Sequence, residues 1–174
     1  MPVYAKRTKS NFTPAPQGLW AAVCCDVVDL GNVTTQFGTA PMVKIWWQLE
    51  DLDPATGRPF LAGQRYRLSL HEKANLCKML ESWRGRKFTE EEAENFELDK
   101  LIGVNCQIQI IHNLKPGGAV FANVQAVVPA ARGTVKLVVR DYVRHEERAK
   151  QANYEAHPDG EADETIADDS WVPF

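Results

Sequence analysis

The side chains that could do covalent chemistry in this sequence are histidines, cysteines and a run of glutamates. The four histidines, His71, His112, His145 and His157, are scattered along the chain, and no serine or cysteine stands in a nucleophile motif. The glutamates of "TEEEAENFELD" (89–99) are adjacent on a predicted helix, where neighbouring side chains point in different directions. A solvated helix face is therefore favoured over a metal site. The sequence predicts no enzyme and no cofactor.

The cysteine and hydropathy patterns argue against several further classes of protein. Cys24, Cys25, Cys77 and Cys106 form no C-x-x-C pair and have no histidine at ligand spacing, so we expect buried reduced thiols and no zinc. No apolar run approaches the ~20 residues of a membrane-spanning helix. We expect a cytoplasmic protein without membrane contact, and its 174 residues suit one domain with tails.

Cations that stand beside aromatic rings in the sequence could bind a ligand noncovalently. Period-two alternation in "MVKIWWQLED" (42–51) and "RYRLSLH" (65–71) predicts two strands, each with a cationic outer face. The side chains on these outer faces are Lys44, Trp46, Arg65 and Arg67. The inner face of the first of these strands holds Val43, Ile45, Trp47 and Leu49. Cations pair with anionic groups and flat rings stack, so the outer face is a candidate surface for a polyanion.

The formal charge of −3 hides a segregation along the chain. Residues 155–174 contain seven acidic and no basic residues, whereas the remainder has 20 basic and 16 acidic residues and a net charge of +4. Such asymmetry is typical of a body that binds a polyanion and an acidic tail that competes for that surface or contacts a protein partner. An acidic tail that only aids solubility is the simpler alternative.

The chain order of the predicted elements is three strands, a helix and two strands. The strands are predicted over 19–31, 42–51, 65–71, 103–113 and 119–129, and the helices over 72–84 and 90–96. Ser69 with Glu72 and Thr89 with Glu92 have capping-box spacing, and Gly85 suits a helix C-terminus. The inner face of the last strand is predicted to carry Val120, Ala122, Val124 and Ala126. This order is that of a five-stranded OB-fold barrel.

Further aromatic and basic residues are candidates for the same surface. Phe121 is predicted on the outer face of the fifth strand and Phe37 in the loop between the first two strands. "WRGRKF" (83–88) interleaves Arg84, Arg86 and Lys87 with two aromatic residues. Trp83 continues the apolar stripe of the helix and is predicted in the core. The alternative for its basic neighbours is that they only interact with the negative, C-terminal end of the helix dipole. Lys6, Arg7 and Lys9 belong to a predicted extended arm.

The final segment, "DDSWVPF" (168–174), resembles the acidic tip of bacterial single-stranded DNA-binding proteins. The matching residues are Asp168, Asp169, Val172, Pro173 and Phe174, whereas Ser170 and Trp171 stand where that family has acids. The segment "SLHEKANLCKMLESWRGRKFTEEEAENFELDKLIGVNCQIQIIHN" (69–113) resembles bacteriophage-encoded relatives of the same class. Bacterial members carry a longer Gly/Gln-rich linker before the tip, so their oligomeric state does not transfer to this chain.

The resemblance implies sequence-independent coating of single-stranded DNA during phage replication, recombination or repair in the bacterial cytoplasm. The sequence pattern divides the chain into a basic arm (1–18), an OB-fold domain (19–129), an extension that is a strand or a helix (130–154) and an acidic tail (155–174), and the resemblance makes the OB-fold domain the DNA-binding one. The tip, including Trp171 and Phe174, would recruit replication, recombination or repair proteins. The alternative is an OB-like adaptor that docks through its tail and does not bind DNA.

Overall fold

The structure is a computed structural model that describes residues 13–156. It divides into two units, one extending to Tyr142 and the other beginning at Val143. The predicted basic arm, with Lys6, Arg7 and Lys9, lies outside the described residues, apart from its last part. The predicted acidic tip also lies outside them: Asp168, Asp169, Trp171, Val172, Pro173 and Phe174.

Five antiparallel strands form the first unit. They are β1 (Gly18–Thr35), β2 (Gly38–Leu52), β3 (Pro59–Arg67), β4 (Asn105–Leu114) and β5 (Val120–Pro129). Their order across the sheet is β3-β2-β1-β4-β5, and β1 is long enough to pair with β2 along one part and with β4 along another. The edge strands β3 and β5 approach each other without a ladder between them. The predictions of a mainly β protein with five strands are confirmed.

The apolar inner face of β2 lies in the hydrophobic core. Val43, Ile45, Trp47 and Leu49 are buried as predicted, and the ring of Trp47 lies 6.0 Å from that of Trp83. Trp83 belongs to helix α1 (Asn75–Arg84), whose buried stripe packs on the sheet between β3 and β5. Burial of large apolar side chains is the main favourable term in folding. The need to bury this inner face therefore decides which side of each strand points into the core.

The helices follow the predicted order, with one correction at a helix start. The capping box of Ser69 and Glu72 is wrong, because α1 begins after Ala74, which makes no side-chain cap. The Ser69 hydroxyl instead accepts a hydrogen bond from the His71 amide, within the turns that precede the helix. Gly85 ends α1 at a φ of 74°, as its position predicted. Thr89 caps α2 (Glu90–Glu94) by accepting a bond from the Glu92 amide.

The bounds of β3 differ most from the prediction. The strand was predicted over 65–71 but spans Pro59–Arg67. Most of the observed strand therefore lies before the predicted start. Pro59 is tolerated because it is the first residue of an edge strand, and Gly63 has a packing role that is described below. Phe60, Ala62 and Tyr66 supply the inner face, and Leu68, within the predicted strand, lies past the observed strand end with 40% of its surface exposed.

A β-bulge reverses the predicted faces of β5. The ladder with β4 shifts between Gln109 and Ile110, which leaves Gln125 as the extra residue. Beyond the bulge, Val127 takes the buried position, so the prediction that Ala126 faces the core is wrong. Bulges break the period-two rule in this way without a clear sequence signal. Phe121 precedes the bulge and keeps its predicted outer position.

Residues 134–142, which we call the strap, cross the outer face of the sheet. The Gln48 side chain makes two hydrogen bonds to the backbone of Arg140: Oε1 accepts from the N–H at 2.9 Å, and Nε2 donates to the carbonyl at 2.6 Å. Asn105 grips the backbone of Leu137 in the same way, with bonds of 2.7 and 2.9 Å. The Tyr142 hydroxyl donates to Asp26 Oδ2 at 2.9 Å. Three side chains of the sheet therefore hold the strap.

The strap explains a buried residue on the outer face. Val23 pairs with Gln48 on one side and with Asn105 on the other, so the three side chains form one row on that face. Only 1% of Val23 is exposed. Because both of its neighbours hold the strap, the strap must pass over Val23.

The second unit contains helix α3 (His145–Ala156), in which Lys150 pairs with Glu146 at 3.1 Å. Residues 134–140 have no regular secondary structure. Within residues 13–156, no helix combines the length and apolar composition needed to cross a membrane.

The pair of hydrogen bonds between the Gln48 side-chain amide and the Arg140 backbone, which we call the amide clasp, gives a first prediction. Gln48→Ala removes both hydrogen bonds to Arg140, which together contribute about 1–3 kcal/mol to holding that part of the strap. The Arg140 amide should then exchange its hydrogen faster in native-state exchange, while amides in the middle of β2 stay protected. Gln109→Ala, at an exposed glutamine on β4, is the matched control. Unchanged exchange at Arg140 in Gln48→Ala would contradict the clasp.

Candidate nucleic-acid interface

The outer faces of β2 and β3 bring together the four residues that alternation predicted. Lys44 pairs across the strands with Arg65, and Trp46 pairs with Gly63. Arg67 lies at the next outer position of β3, opposite Met42. Lys44, Trp46 and Arg65 are partly buried and Arg67 is exposed. One aromatic ring and three cations thus share a surface two strands wide.

Gly63 is the reason that the Trp46 ring can lie against the sheet. A Cβ atom at Gly63 would stand 2.6 Å from Trp46 Cε3 and 2.7 Å from Cζ3, closer than real Cβ atoms approach any heavy atom. The indole therefore occupies the space over β3 that any other residue would fill. A glycine inside a strand often marks such a close approach.

Lys44 completes this arrangement. Its Nζ lies 4.0 Å from the centroid of the Trp46 ring, a cation–π contact. Partial burial lowers the pKa of Lys44 below its usual value, and the neighbouring Arg65 charge lowers it further. Both effects disfavour the charged ammonium. An anion placed between Lys44 and Arg65 would relieve the repulsion between them.

Phe37 lies just before the start of β2, several residues along the strand from Trp46. It stands in the turn between β1 and β2 with 91% of its surface exposed. From Trp46 to Gly38 the strand β2 runs for eight residues, which corresponds to about 26 Å at the rise of a strand. Along this length the outer positions pass from Trp46 through Lys44 and Arg65 to Arg67. The predicted residues thus follow a line and not a pocket.

Phe121 does not join this line. It lies on β5 opposite Asn113, in the part of β4 that extends past the residues paired with β1. Its ring has its own cation, because Lys115 Nζ lies 3.6 Å from the ring centroid. Phe121 therefore belongs to a separate small surface at the turn between β4 and β5.

The basic residues at and after the end of α1 differ in how far the protein itself pairs them. Arg84 pairs with Glu92 at 2.5 Å and lies 4.4 Å over the ring of Phe88. Arg86 approaches the other oxygen of Glu92 at 3.6 Å. The bond from Arg84 holds the pKa of Glu92 below its usual value. Lys87 is exposed. Arg84 lines an apolar cavity of about 250 Å³ with Trp83, so this cluster lies away from the line on β2 and β3.

Sequence reasoning missed two contributors to the surface. Gly63 lies outside the strand predicted over 65–71, although a glycine opposite a tryptophan on a neighbouring strand is a usable signal once the register is known. The strap was left without a role, because nothing local marks Gln48 or Asn105 as its holders. Their partners lie 92 and 32 residues away in sequence.

No protein-family model matches the chain, and no curated protein matches it either. Residues 13–156 contain no group of three or more metal-binding side chains. The arrangement can therefore be read only from its own chemistry, which is that of a ring and several cations along one strand pair.

The contact at Gly63 gives a second prediction. Gly63→Ala should force the Trp46 indole from its place, at a cost of about 0.5–1.5 kcal/mol for a displaced rotamer. The measurement is intrinsic fluorescence, with Trp46→Phe as the background that isolates this tryptophan among the five. Gly63→Ala should change the emission of the otherwise unaltered protein and leave that of Trp46→Phe unchanged. An equal change in both backgrounds would show that Gly63 does not position Trp46.

Proposed function

We propose that this protein binds single-stranded DNA without sequence preference through the outer face of β2 and β3. The observation that carries the proposal is the Trp46 ring, which is laid against Gly63 and has Lys44 and Arg65 beside it. Every base has a flat face that can stack on such a ring, and every nucleotide has a phosphate that a cation can pair with. Neither contact reads the sequence.

The proposed fold is an OB-fold, and the strand order supports it. A five-stranded, partly open Greek-key barrel binds oligonucleotides on its strand 2 and 3 face and in its loop between strands 1 and 2. Here β3 and β5 face each other across the opening, and α1 packs against both. Ser82 of α1 donates to the Val127 carbonyl at 2.7 Å, which ties the helix to β5. The positions of Trp46 on β2 and of Phe37 in the turn between β1 and β2 support the proposal, because an OB-fold would present its ligand there.

Base stacking and phosphate contacts would make different contributions to the binding of a single strand. A base stacked on an aromatic side chain contributes about 1–3 kcal/mol by alanine substitution. Each phosphate contact on a single strand steepens the salt dependence of log K by about 0.7. Lys44, Arg65 and Arg67 together would therefore make binding clearly weaker at higher salt.

The acidic residues 155–174 have a separate proposed role. We propose that Trp171, Val172, Pro173 and Phe174 bind replication, recombination or repair proteins, with Asp168 and Asp169 attracting basic partners. This follows from the resemblance of "DDSWVPF" to the tip of bacterial single-stranded DNA-binding proteins. The corresponding setting is the replication of a phage genome, with no reaction catalysed.

The central test is binding of a fluorescently labelled oligo-dT and of a matched duplex, followed by anisotropy. The single strand should bind more tightly, and Trp46→Ala should weaken its binding about 5- to 150-fold, which corresponds to the loss of one stacked base. Trp46→Phe should retain most of the affinity because it keeps a ring. Leu114→Ala removes an exposed apolar side chain at the far end of β4 and serves as the control.

The binding proposal fails if the unaltered protein shows no preference for the single strand. The adaptor that docks only through its tail would then be the explanation to pursue. It also fails in its detail if Trp46→Ala folds normally by circular dichroism and binds as tightly as the unaltered protein.

Removal of residues 155–174 tests whether the acidic segment competes with DNA. At low ionic strength the deletion should raise affinity for oligo-dT by a few-fold, because seven acidic residues no longer compete for the basic surface. The difference should shrink at moderate salt, where such charges are screened. Equal affinity of the two proteins at low salt would exclude the competition.

A further inference from the structure

The strap crosses the sheet beside the proposed stacking residue. We infer that Lys136 and Arg140 of the strap form a second phosphate-binding stretch, which carries the single strand from Trp46 across β1 towards β4. This inference rests on the proposed function and adds a binding segment to it. Local sequence pattern predicts no role for Lys136 or Arg140.

The way in which the strap is held leaves its cations available. Gln48 and Asn105 bind only backbone atoms of Arg140 and Leu137, so no strap side chain is used by these two clasps. Among the described residues, no carboxylate lies within ion-pair distance of Lys136 or Arg140. The two charges are therefore not neutralised as that of Arg84 is.

Exposure along the strap alternates in a way that turns these cations outward. Lys136, Val138 and Arg140 are exposed, whereas Leu137 and Val139 are partly buried. The strap thus has one side toward the sheet and one side toward solvent. The solvent side bears a positive charge at every fourth residue, at Lys136 and Arg140.

The strap reaches the candidate interface at Trp46 itself. Arg140 is bound to Gln48, the next outward residue after Trp46 on β2. Tyr142 is bound to Asp26, which is the partner of Trp46 on β1. The chain between Arg140 and Tyr142 therefore passes next to the Trp46 position. Arg140 extends the line of cations beyond the ring, on the side opposite Lys44.

The Asp26 carboxylate, which lies opposite Trp46 on β1, does not oppose the cations. Asp26 is only 1% exposed, and its two oxygens accept hydrogen bonds from the Val27 amide and the Tyr142 hydroxyl. It is buried and holds the strap. The row of Val23 would otherwise present an apolar surface, and the strap replaces it with a basic one.

A single acid remains on the strap, and it provides a sensitive test. Asp141 is exposed and has a φ of 49°, in the left-handed region. Asparagine tolerates that conformation as readily as aspartate does. Asp141→Asn therefore removes one negative charge next to Arg140 without a change in backbone demand.

The experiment compares the salt dependence of oligo-dT binding in the full chain and in Lys136→Ala/Arg140→Ala. Loss of two phosphate contacts should reduce the slope of log K against log salt by about 1.4 and weaken binding at low salt. Lys73→Ala/Lys100→Ala removes the same charge from exposed positions outside the strap and should leave the slope within error. Asp141→Asn should strengthen binding a few-fold at low salt.

The outcomes separate the two proposals. If the unaltered protein binds the single strand and the strap variant keeps its slope and affinity, the strap inference is wrong while the proposed function stands. If the unaltered protein does not bind, both are wrong. Equal losses in the strap variant and the Lys73/Lys100 control would also overturn the inference, because they would reflect net charge alone.

Discussion

The contact between the Trp46 indole and Gly63 is the constraint on which the candidate interface depends. A side chain at position 63 would occupy the space of the ring, so the register of β2 with β3 decides whether a platform exists. A slip of one residue would place Ala62 or Gln64 opposite the tryptophan and turn the outer face inward. The same register pairs Lys44 with Arg65, so the ring and its cations are fixed together. The burial of Trp47 on the other face of β2 holds that register in place.

The outer face of the sheet is divided into two parts by the strap. One part, along β2 and β3, carries its own cations. The other, along β1 and β4, is apolar at Val23 and is covered by a segment that bears Lys136 and Arg140. Amide side chains are suited to hold such a segment, because Gln48 and Asn105 each offer a donor and an acceptor that match one backbone unit. Cations therefore lie on both parts of this face, although different stretches of the chain supply them.

Local pattern explains how much of this could be predicted. Alternation identified both faces of β2, and with them Lys44, Trp46 and the buried partner Trp47, because each face is uniform over several residues. It failed at β3, where Pro59 and Gly63 resemble turn residues and only the neighbouring strand shows why they fit. It failed again at Ala126, since a bulge in β5 is set by pairing with β4. The strap was beyond reach because its anchors join residues as far apart as Gln48 and Arg140. Long-range contacts decided each of these cases.

The claim that one face of the sheet is the binding surface is tested most directly by amide hydrogen exchange with and without oligo-dT. Oligo-dT should add protection over residues 42–48 and 63–67 and along the strap at 136–142. The amides of α1 and of the turn between β4 and β5 should change little. Protection confined to α1 and the cluster of Arg84 and Glu92, with none on β2 and β3, would contradict the account.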